Sequence, residues 1–204
     1  HVIAQRIRYL VEEKHVDPEQ ILTITFTKAA ATEMKSRCQA ICSKAGRVAF
    51  GTFHSIFYSI LRKSKKYHHF TLINEKEKDR IITFLMDKEA SEETKKEMFS
   101  EISRYKNMWP KNPEETETYT SEFWTIYKRY CTLCEEQEKL DFDDMLRLCH
   151  KLFTDNPAEK EKWSRRFLYI LVDEFQDVNS MQYELLKLMA EVHKNLFAVG
   201  DDDQ

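Results

Sequence analysis

Short apolar runs alternate with amphipathic segments at both ends of the chain. Four runs rich in β-branched and other large apolar residues are typical of buried strands, at positions 21–26, 47–51, 168–172 and 195–199. The segments around them repeat apolar residues at helical spacing, at positions 1–15, 28–42, 56–62 and 180–193. Because strands that alternate with helices build parallel sheets, the pattern predicts an α/β fold.

The middle of the chain lacks this alternation. Its apolar positions predict only helices, at residues 75–88, 91–108, 120–139 and 142–153, with a proline-marked break at 109–113. A helical block between two halves of a sheet pattern indicates an insertion into the sheet domain. We therefore divide the chain into a first sheet segment, an all-helical insertion and a second sheet segment, at residues 1–70, 71–140 and 141–204.

The composition fits a helix-rich protein with an uneven charge distribution. Three glycines in 204 residues leave little room for tight turns. Residues 1–74 carry 12 Lys and Arg against 5 Asp and Glu, whereas residues 75–204 carry 20 against 30. A basic first part suits a polyanionic partner, although an ordinary solvated surface gives the same count.

Cysteine usage predicts a reducing, cytoplasmic environment. The chain has five cysteines, an odd number, and nothing in it resembles a signal peptide or a membrane span. Cys131 and Cys134 have the spacing of a zinc or redox motif. Zinc needs four ligands, however, and the flanking sequence is helical, so we expect reduced thiols on a helix.

The sharpest chemical signal is the pair Asp173-Glu174, which directly follows the apolar run 168–172. Ligands of open α/β sheets bind at the carboxyl edge of the strands. There Asp173 could hold Mg²⁺, directly or through water, and Glu174 could orient and deprotonate an attacking water. The alternative is a core strand that ends in solvated acids.

Five stretches resemble, in this order, successive motifs of the UvrD/PcrA-type superfamily 1 DNA helicases. They are TFTKAAATEM at 25–34, GTFHS at 51–55, LDFDDM at 140–145, DEFQDVN at 173–179 and VGDDDQ at 199–204. The resemblance spans essentially the whole chain. It implies a RecA-like domain of the P-loop NTPase class, truncated at both ends, with an inserted helical subdomain.

The resemblance also implies roles in nucleotide chemistry. Asp173 matches the family's magnesium-associated acid, and Glu174 matches the acid that activates the water attacking the γ-phosphate. Gln204 matches a glutamine that touches the γ-phosphate and couples its state to DNA. The expected cofactors are therefore ATP and Mg²⁺.

A second group of matches implies contact with single-stranded DNA. Phe26 matches an aromatic that helps form a pocket for an unstacked base, and Thr52, Phe53 and His54 lie in a motif that follows the strand. Aromatic faces stack on any base, and hydroxyl groups contact phosphates without reading sequence. For Phe26 and Phe53 the alternative is core packing.

Two further positions of the first motif are expected to contact DNA, namely Thr27 and Lys28. Thr27 is also the predicted N-cap of the helix at 28–42. Close relatives commonly have an Asn-Lys pair where this chain has Lys28-Ala29, so Lys28 would supply the charge from one position earlier.

Four polar residues of the helical insertion and its end allow competing interpretations. In relatives the place of Lys106 faces duplex DNA, and the alternative is a solvated surface lysine. Asp141, Asp143 and Asp144 could suggest a second metal site. The motif lies where the insertion rejoins the sheet domain, so we expect Asp141 to be a helix N-cap and the other two to be structural.

Two parts of the family pattern fall outside the sequence. The glycine-rich phosphate loop would stand immediately before His1, and a second motor domain with charge-stabilising arginines would follow Gln204. We expect a fragment of an ATP-driven 3′→5′ helicase or translocase, acting in DNA repair or replication. Its expected partners are single-stranded DNA, junctions between single and double strands, and the rest of the parent chain.

Three alternatives to this function remain open at the level of sequence. The parent could be a helicase-nuclease of recombinational repair, whose motor carries similar motifs. It could also be a DNA-binding or protein-docking module that keeps the fold without turning over ATP. Finally, backbone tracking and base stacking serve RNA as well as DNA.

We predict that the 204 residues alone hydrolyse ATP negligibly. Without a cradle for the β- and γ-phosphates and without the arginines of a second domain, Glu174 has nothing held in place to act on. Phosphate release by the isolated chain and by the parent protein, at equal concentrations of ATP and single-stranded DNA, checks this. Turnover close to that of the parent would contradict it.

Overall fold

The computed structural model describes residues 2–86, 90–108 and 118–201. The chain divides into two compact units, one formed up to Ile60 and from Cys149 onward, the other by Leu61–Leu148. The predicted insertion, 71–140, falls inside the second unit, and the predicted break at 109–113 lies outside the described residues. No helix within the described ranges is long and apolar enough to cross a membrane.

Helices dominate both units. In chain order the helices are α1 (Val2–Arg8), α2 (Lys28–Ile41), α3 (Phe53–Arg62), α4 (Glu75–Leu85), α5 (Glu92–Asn107), α6 (Ser121–Glu136), α7 (Asp144–Asp155), α8 (Pro157–Arg166) and α9 (Ser180–Ala190). The strands are β1 (Ile21–Thr25), β2 (Ala49–Thr52), β3 (Thr71–Leu72), β4 (Lys139–Leu140), β5 (Tyr169–Val172) and β6 (Leu196–Ala198). Single helical turns of other types occur at Tyr9–Glu13, Pro18–Gln20, Ser43–Arg47 and Phe175–Asp177.

The first unit contains a four-stranded parallel sheet in the order β2-β1-β5-β6. The register places Ile24 opposite both Gly51 and Val172, and Val172 opposite Ala198. The predicted α/β fold with a parallel sheet is therefore confirmed. Because all four strands run the same way, their carboxyl ends lie along one edge.

Both faces of the two central strands are covered. Ile21 and Leu171 belong to an apolar cluster that includes Ile3 and Ile7 of α1 and Cys38 of α2. The alternate positions along the same strands, Leu22, Ile24, Ile170 and Val172, are fully buried as well. Strands buried on both faces read as continuous apolar runs, which explains the clear sequence signal of β1 and β5.

The second unit packs α4, α5 and α6 around aromatic side chains. Phe123 and Tyr130 of α6 have no exposed surface, and Ile82 of α4 and Ile102 of α5 complete the centre of this core. Each helix begins at a side-chain cap, provided by Asn74, Ser91 and Thr120. The predicted helices are confirmed here, with ends that differ by at most three residues.

Three short or polar elements were not predicted. β3 and β4 form a parallel pair, Thr71 opposite Lys139 and Leu72 opposite Leu140, and two residues are too few to show periodicity. α8 is polar on most of its surface and buries mainly Trp163 and Ser164. Its start was nevertheless marked by Pro157 after the capping residue Asn156.

Candidate functional site

Backbone hydrogen bonds continue past the ends of the strands at the carboxyl edge of the sheet. The Asp173 N–H donates to the Ile24 carbonyl at 2.9 Å, which joins the ends of β5 and β1. On the other side, the Val199 N–H donates to the Val172 carbonyl and the Phe175 N–H to the Val199 carbonyl, both at 2.9 Å. The residues that follow β5 are therefore held on both sides by neighbouring strands.

Asp173 and Glu174 occupy this held segment. Asp173 is half-buried and Glu174 is exposed, with a left-handed backbone conformation (φ 51°). Such a conformation is uncommon outside glycine and often marks functional sites. Burial, followed by the nearby charge of Glu174, raises the pKa of the Asp173 carboxyl.

This donor set fits a divalent cation. A half-buried carboxylate beside a second acid carries a charge that a hard cation would stabilise. Within the described residues no group of three or more His, Cys, Asp or Glu side chains is placed to hold a metal. Mg²⁺ is commonly held by one or two carboxylates together with substrate phosphates, so the pair suits a metal that arrives with a nucleotide.

Gln176 makes a contact that the motif pattern does not predict. Its Nε2 donates to Glu174 Oε2 at 2.7 Å, and its Oε1 accepts from the Asp201 N–H at 3.1 Å. The signal available in the sequence was a glutamine two residues after the acid, inside the same motif. Glu174 therefore has a hydrogen-bond partner that is itself fixed by the segment after β6.

Phe26 lies beyond the end of β1 on the same edge, and 48% of its surface is exposed. The turn around it is fixed by Thr25 Oγ1, which donates to the Thr27 carbonyl, and by Thr27 Oγ1, which accepts from the Ala30 N–H, both at 3.1 Å. The prediction that Thr27 caps α2 is thus confirmed. Thr27 and Lys28 are exposed beside the aromatic ring.

Thr52 ends β2 next to this turn, because it pairs with Thr25 in the sheet register. Thr52 Oγ1 accepts from the Ser55 N–H at 3.3 Å, and Ser55 Oγ accepts from the Thr52 N–H at 2.9 Å, which caps α3. A side chain at Gly51 would bring a Cβ within 2.7 Å of Ser55 Oγ. The close approach of β2 to α3 therefore requires glycine there.

Phe53 and His54 differ from Phe26 in exposure. Phe53 is 3% exposed and stacks on Phe57, with ring centroids 6.3 Å apart. The expectation that its ring lies along a DNA strand is wrong, because the ring is enclosed in the core; the alternative of core packing holds. His54 is half-buried in the first turn of α3. Gln204 lies outside the described residues.

Lys106 is a second correction, in the helical unit. Its side chain has no exposed surface, and its ammonium contacts Asp141 Oδ2 at 2.6 Å and Asp144 Oδ2 at 2.9 Å. Both sequence-based interpretations of Lys106, contact with duplex DNA and a solvated surface lysine, are therefore wrong, because its side chain is buried. A buried lysine needs paired carboxylates to offset the loss of hydration, and both come from residues about 35 positions further along the chain.

The surrounding groups complete a buried ionic cluster. The Tyr130 hydroxyl donates to Asp141 at 3.0 Å, and Arg147 donates to Asp144 at 2.8 Å. Burial opposes the charge of Lys106, but Asp144 and Asp141 outweigh it and raise the Lys106 pKa. Burial likewise disfavours charge on Asp144, yet Lys106 and Arg147 lower its pKa to about 2.

The two acids of this cluster differ in their titration. Asp141 is buried beside the negative charge of Asp144, and together these effects raise its pKa even though Lys106 opposes them. Asp141 Oδ1 accepts from the Asp144 N–H at 2.9 Å, and Asp144 Oδ2 accepts from the Asp141 N–H at 3.3 Å. This reciprocal pattern is a capping box, so the prediction that Asp141 caps the helix is confirmed.

The Cys131 and Cys134 pair lies on α6, and both thiols are free. Burial raises the pKa of the Cys134 thiol to about 12. A metal site needs the thiolate form, which burial disfavours here.

The fold is an α/β domain in which an acid pair follows a central strand at the carboxyl edge of a parallel sheet. Comparison of the sequence with known families agrees with this class. All of residues 1–204 match the model of the UvrD/REP helicase N-terminal domain. The chain belongs to this family.

Individual relatives are similar over the full chain. The ATP-dependent DNA helicase PcrA of Staphylococcus epidermidis is 38% identical over 216 aligned positions, which span 100% of this chain and 30% of PcrA. PcrA of Staphylococcus aureus gives the same figures. YjcD of Bacillus subtilis is 34% identical, over 100% of this chain and 28% of its own length. The chain thus spans less than a third of these relatives.

We predict that Lys106→Met strongly destabilises the protein. The apolar side chain would leave Asp141 and Asp144 buried beside each other without their ammonium, at a cost of about 3–5 kcal/mol in the free energy of unfolding. Urea unfolding followed by circular dichroism measures it. Lys96→Met, at an exposed position of the same helix, is the matched control and should change stability by less than about 0.5 kcal/mol. Equal stability of the two variants would contradict the buried cluster.

Proposed function

We propose that the protein containing this chain is an ATP-dependent DNA helicase that moves 3′→5′ along single-stranded DNA. The observation that carries the proposal is the position of two groups on one sheet edge. The acid pair Asp173 and Glu174 follows β5, and the exposed Phe26 follows the adjacent strand β1. The names of the PcrA relatives, ATP-dependent DNA helicases, support the same activity.

Glu174 is the proposed catalytic base. Its exposed carboxylate would orient a water molecule and accept a proton from it as the water attacks the γ-phosphate of ATP. Asp173 would hold Mg²⁺, which when bound neutralises charge on the phosphates. Gln204 keeps its proposed role at the γ-phosphate.

The β1 and β2 ends form the proposed contact with DNA. The face of Phe26 would stack on one base, a contact that tolerates any sequence. Thr27, Lys28 and Thr52 supply hydroxyl groups and a positive charge beside it, which suits phosphate contacts. The Phe53 ring packs in the core and is not part of the proposed DNA contact. His54 is half-buried, and we propose that its exposed atoms contact the DNA strand.

Coupling between the two groups follows from the hydrogen bonds of the edge. The Asp173 N–H is bonded to the Ile24 carbonyl, two residues before Phe26. A displacement of the segment after β5 during hydrolysis would therefore act directly on the end of β1. We propose that each ATP cycle changes the grip on one strand in this way, and that the whole protein uses it to unwind junctions.

We predict that Glu174→Gln strongly reduces ATP hydrolysis in the full-length protein. Without a general base, kcat at saturating single-stranded DNA should fall about 10²- to 10⁴-fold, whereas the wild type is strongly stimulated by DNA. Phosphate release with and without DNA measures both effects. Glu161→Gln, at an exposed position of α8, is the control and should behave as wild type. Hydrolysis that ignores DNA, or that survives Glu174→Gln, would favour a module that does not couple ATP to DNA.

We predict that Phe26→Ala weakens binding to single-stranded DNA. Loss of one stacked base costs about 1–3 kcal/mol, or about 5- to 150-fold in affinity. Fluorescence anisotropy of a labelled oligonucleotide at two salt concentrations measures the effect and should also show that wild-type affinity falls with salt. An RNA oligonucleotide of the same sequence tests the choice of polymer.

Phe84→Ala provides the matched control for this measurement. Phe84 is more exposed than Phe26, at 69%, and lies on α4 in the helical unit. Its removal should leave affinity for single-stranded DNA unchanged. Equal affinity of wild type and Phe26→Ala would remove the case for a base pocket at the end of β1.

A further inference from the structure

The side chain of Gln176 connects two segments of the sheet edge. Its Nε2 lies 2.7 Å from Glu174 Oε2, and its Oε1 lies 3.1 Å from the backbone nitrogen of Asp201, just after β6. Gln176 lies in the helical turn Phe175–Asp177, which is anchored to the same strand end by the bond from the Phe175 N–H to the Val199 carbonyl. One amide thus touches both the proposed base and the end of the neighbouring strand.

The orientation of this amide is fixed by its partners. A backbone N–H can only donate, so the Gln176 oxygen must face Asp201. The amide nitrogen must then face Glu174, where it donates to a carboxylate. Among the residues that the structure describes, Gln176 is the hydrogen-bond partner of the Glu174 carboxylate, through Oε2. Oε1 is the oxygen that we assign to the attacking water.

Gly200 permits the close approach of these groups. A Cβ at this position would lie 2.7 Å from Gln176 Oε1 and 3.3 Å from the backbone nitrogens of Gln176 and Phe175. Any larger residue would push the amide away from Asp201. The absence of a side chain at Gly200 is thus part of what holds Gln176 in place.

We propose that Gln176 is a positioning residue that fixes the Glu174 carboxylate and links it to the end of β6. Glu174 is exposed and would otherwise sample several rotamers, so the amide selects the one in which a single oxygen faces the attacking water. Movement of the segment after β6 then moves the base. The inference rests on the proposed function, since it describes how that site is held.

Two substitutions in the full-length protein separate positioning from simple loop structure. Gln176→Met keeps the length of the side chain but neither donates nor accepts. Gln176→Glu keeps an acceptor for the Asp201 N–H but donates nothing to Glu174. We expect both variants to lower kcat for DNA-stimulated ATP hydrolysis by about 10- to 100-fold, with KM for ATP changed less than about threefold.

A double-mutant cycle tests the link to β6. Gly200→Ala should also lower kcat. The double variant Gly200→Ala/Gln176→Met should have a kcat less than about twofold below that of Gln176→Met alone, because both substitutions break the same contact between Gln176 and Asp201. Gln39→Ala, at an exposed glutamine of α2, is the control and should match wild type. Melting curves check folding, and Gln176→Glu decides if Gln176→Met does not fold.

The results separate a failure of the positioning role of Gln176 from a failure of the proposed ATPase function. If Glu174→Gln is inactive but both Gln176 variants stay within about twofold of wild type, the positioning role is overturned and the ATPase stands. Near wild-type kcat in Gln176→Glu alone would also overturn it, because the bond to Asp201 would then suffice. A wild type that hydrolyses no ATP with DNA would overturn the proposed function and this inference together.

Discussion

The parallel register of the four-stranded sheet is the constraint on which the candidate site depends. Strands β2, β1, β5 and β6 all end at one edge, and backbone hydrogen bonds tie the residues that follow them. The proposed metal ligand and the proposed base directly follow β5, and the proposed base-stacking ring directly follows the adjacent strand β1. Their chemistry differs, but a single set of main-chain bonds fixes their spacing.

The helical unit depends on a different interaction, a buried ion cluster. Lys106 of α5, Tyr130 of α6 and the capping box of Asp141 and Asp144 meet where charge is costly to bury. Every charged group there has a partner, so the loss of one would leave another charge buried without compensation. The residues of this cluster are buried and contact one another, whereas Glu174 and Phe26 at the sheet edge are exposed and could contact a ligand.

Much of the sheet unit could be predicted from sequence because its strands are buried on both faces. β1 was expected at 21–26 and occurs at Ile21–Thr25, and the capping role of Thr27 followed from its place before a helical pattern. The acid pair was found for the same reason, since it directly follows a strong strand signal.

The failures share a physical cause, which is that local sequence does not specify distant partners. Lysine is rarely buried, and the sequence around Lys106 does not predict that two carboxylates from another part of the chain will pair with it. Phe26 and Phe53 follow their strands in similar ways, yet one ring is exposed and the other packs on Phe57. The link from Gln176 to Asp201 likewise depends on the pairing of β5 with β6, which periodicity cannot show.

The measurement that tests the central claim most directly is the affinity of the full-length protein for single-stranded DNA with and without a non-hydrolysable ATP analogue. If the backbone bonds of this edge transmit movement between nucleotide and DNA, as we propose, binding of each ligand alters the affinity of the other. We expect a change of at least about fivefold, matched by an equal change in analogue affinity when DNA is added. Identical DNA affinity in both conditions, with the analogue shown to be bound, would contradict the account.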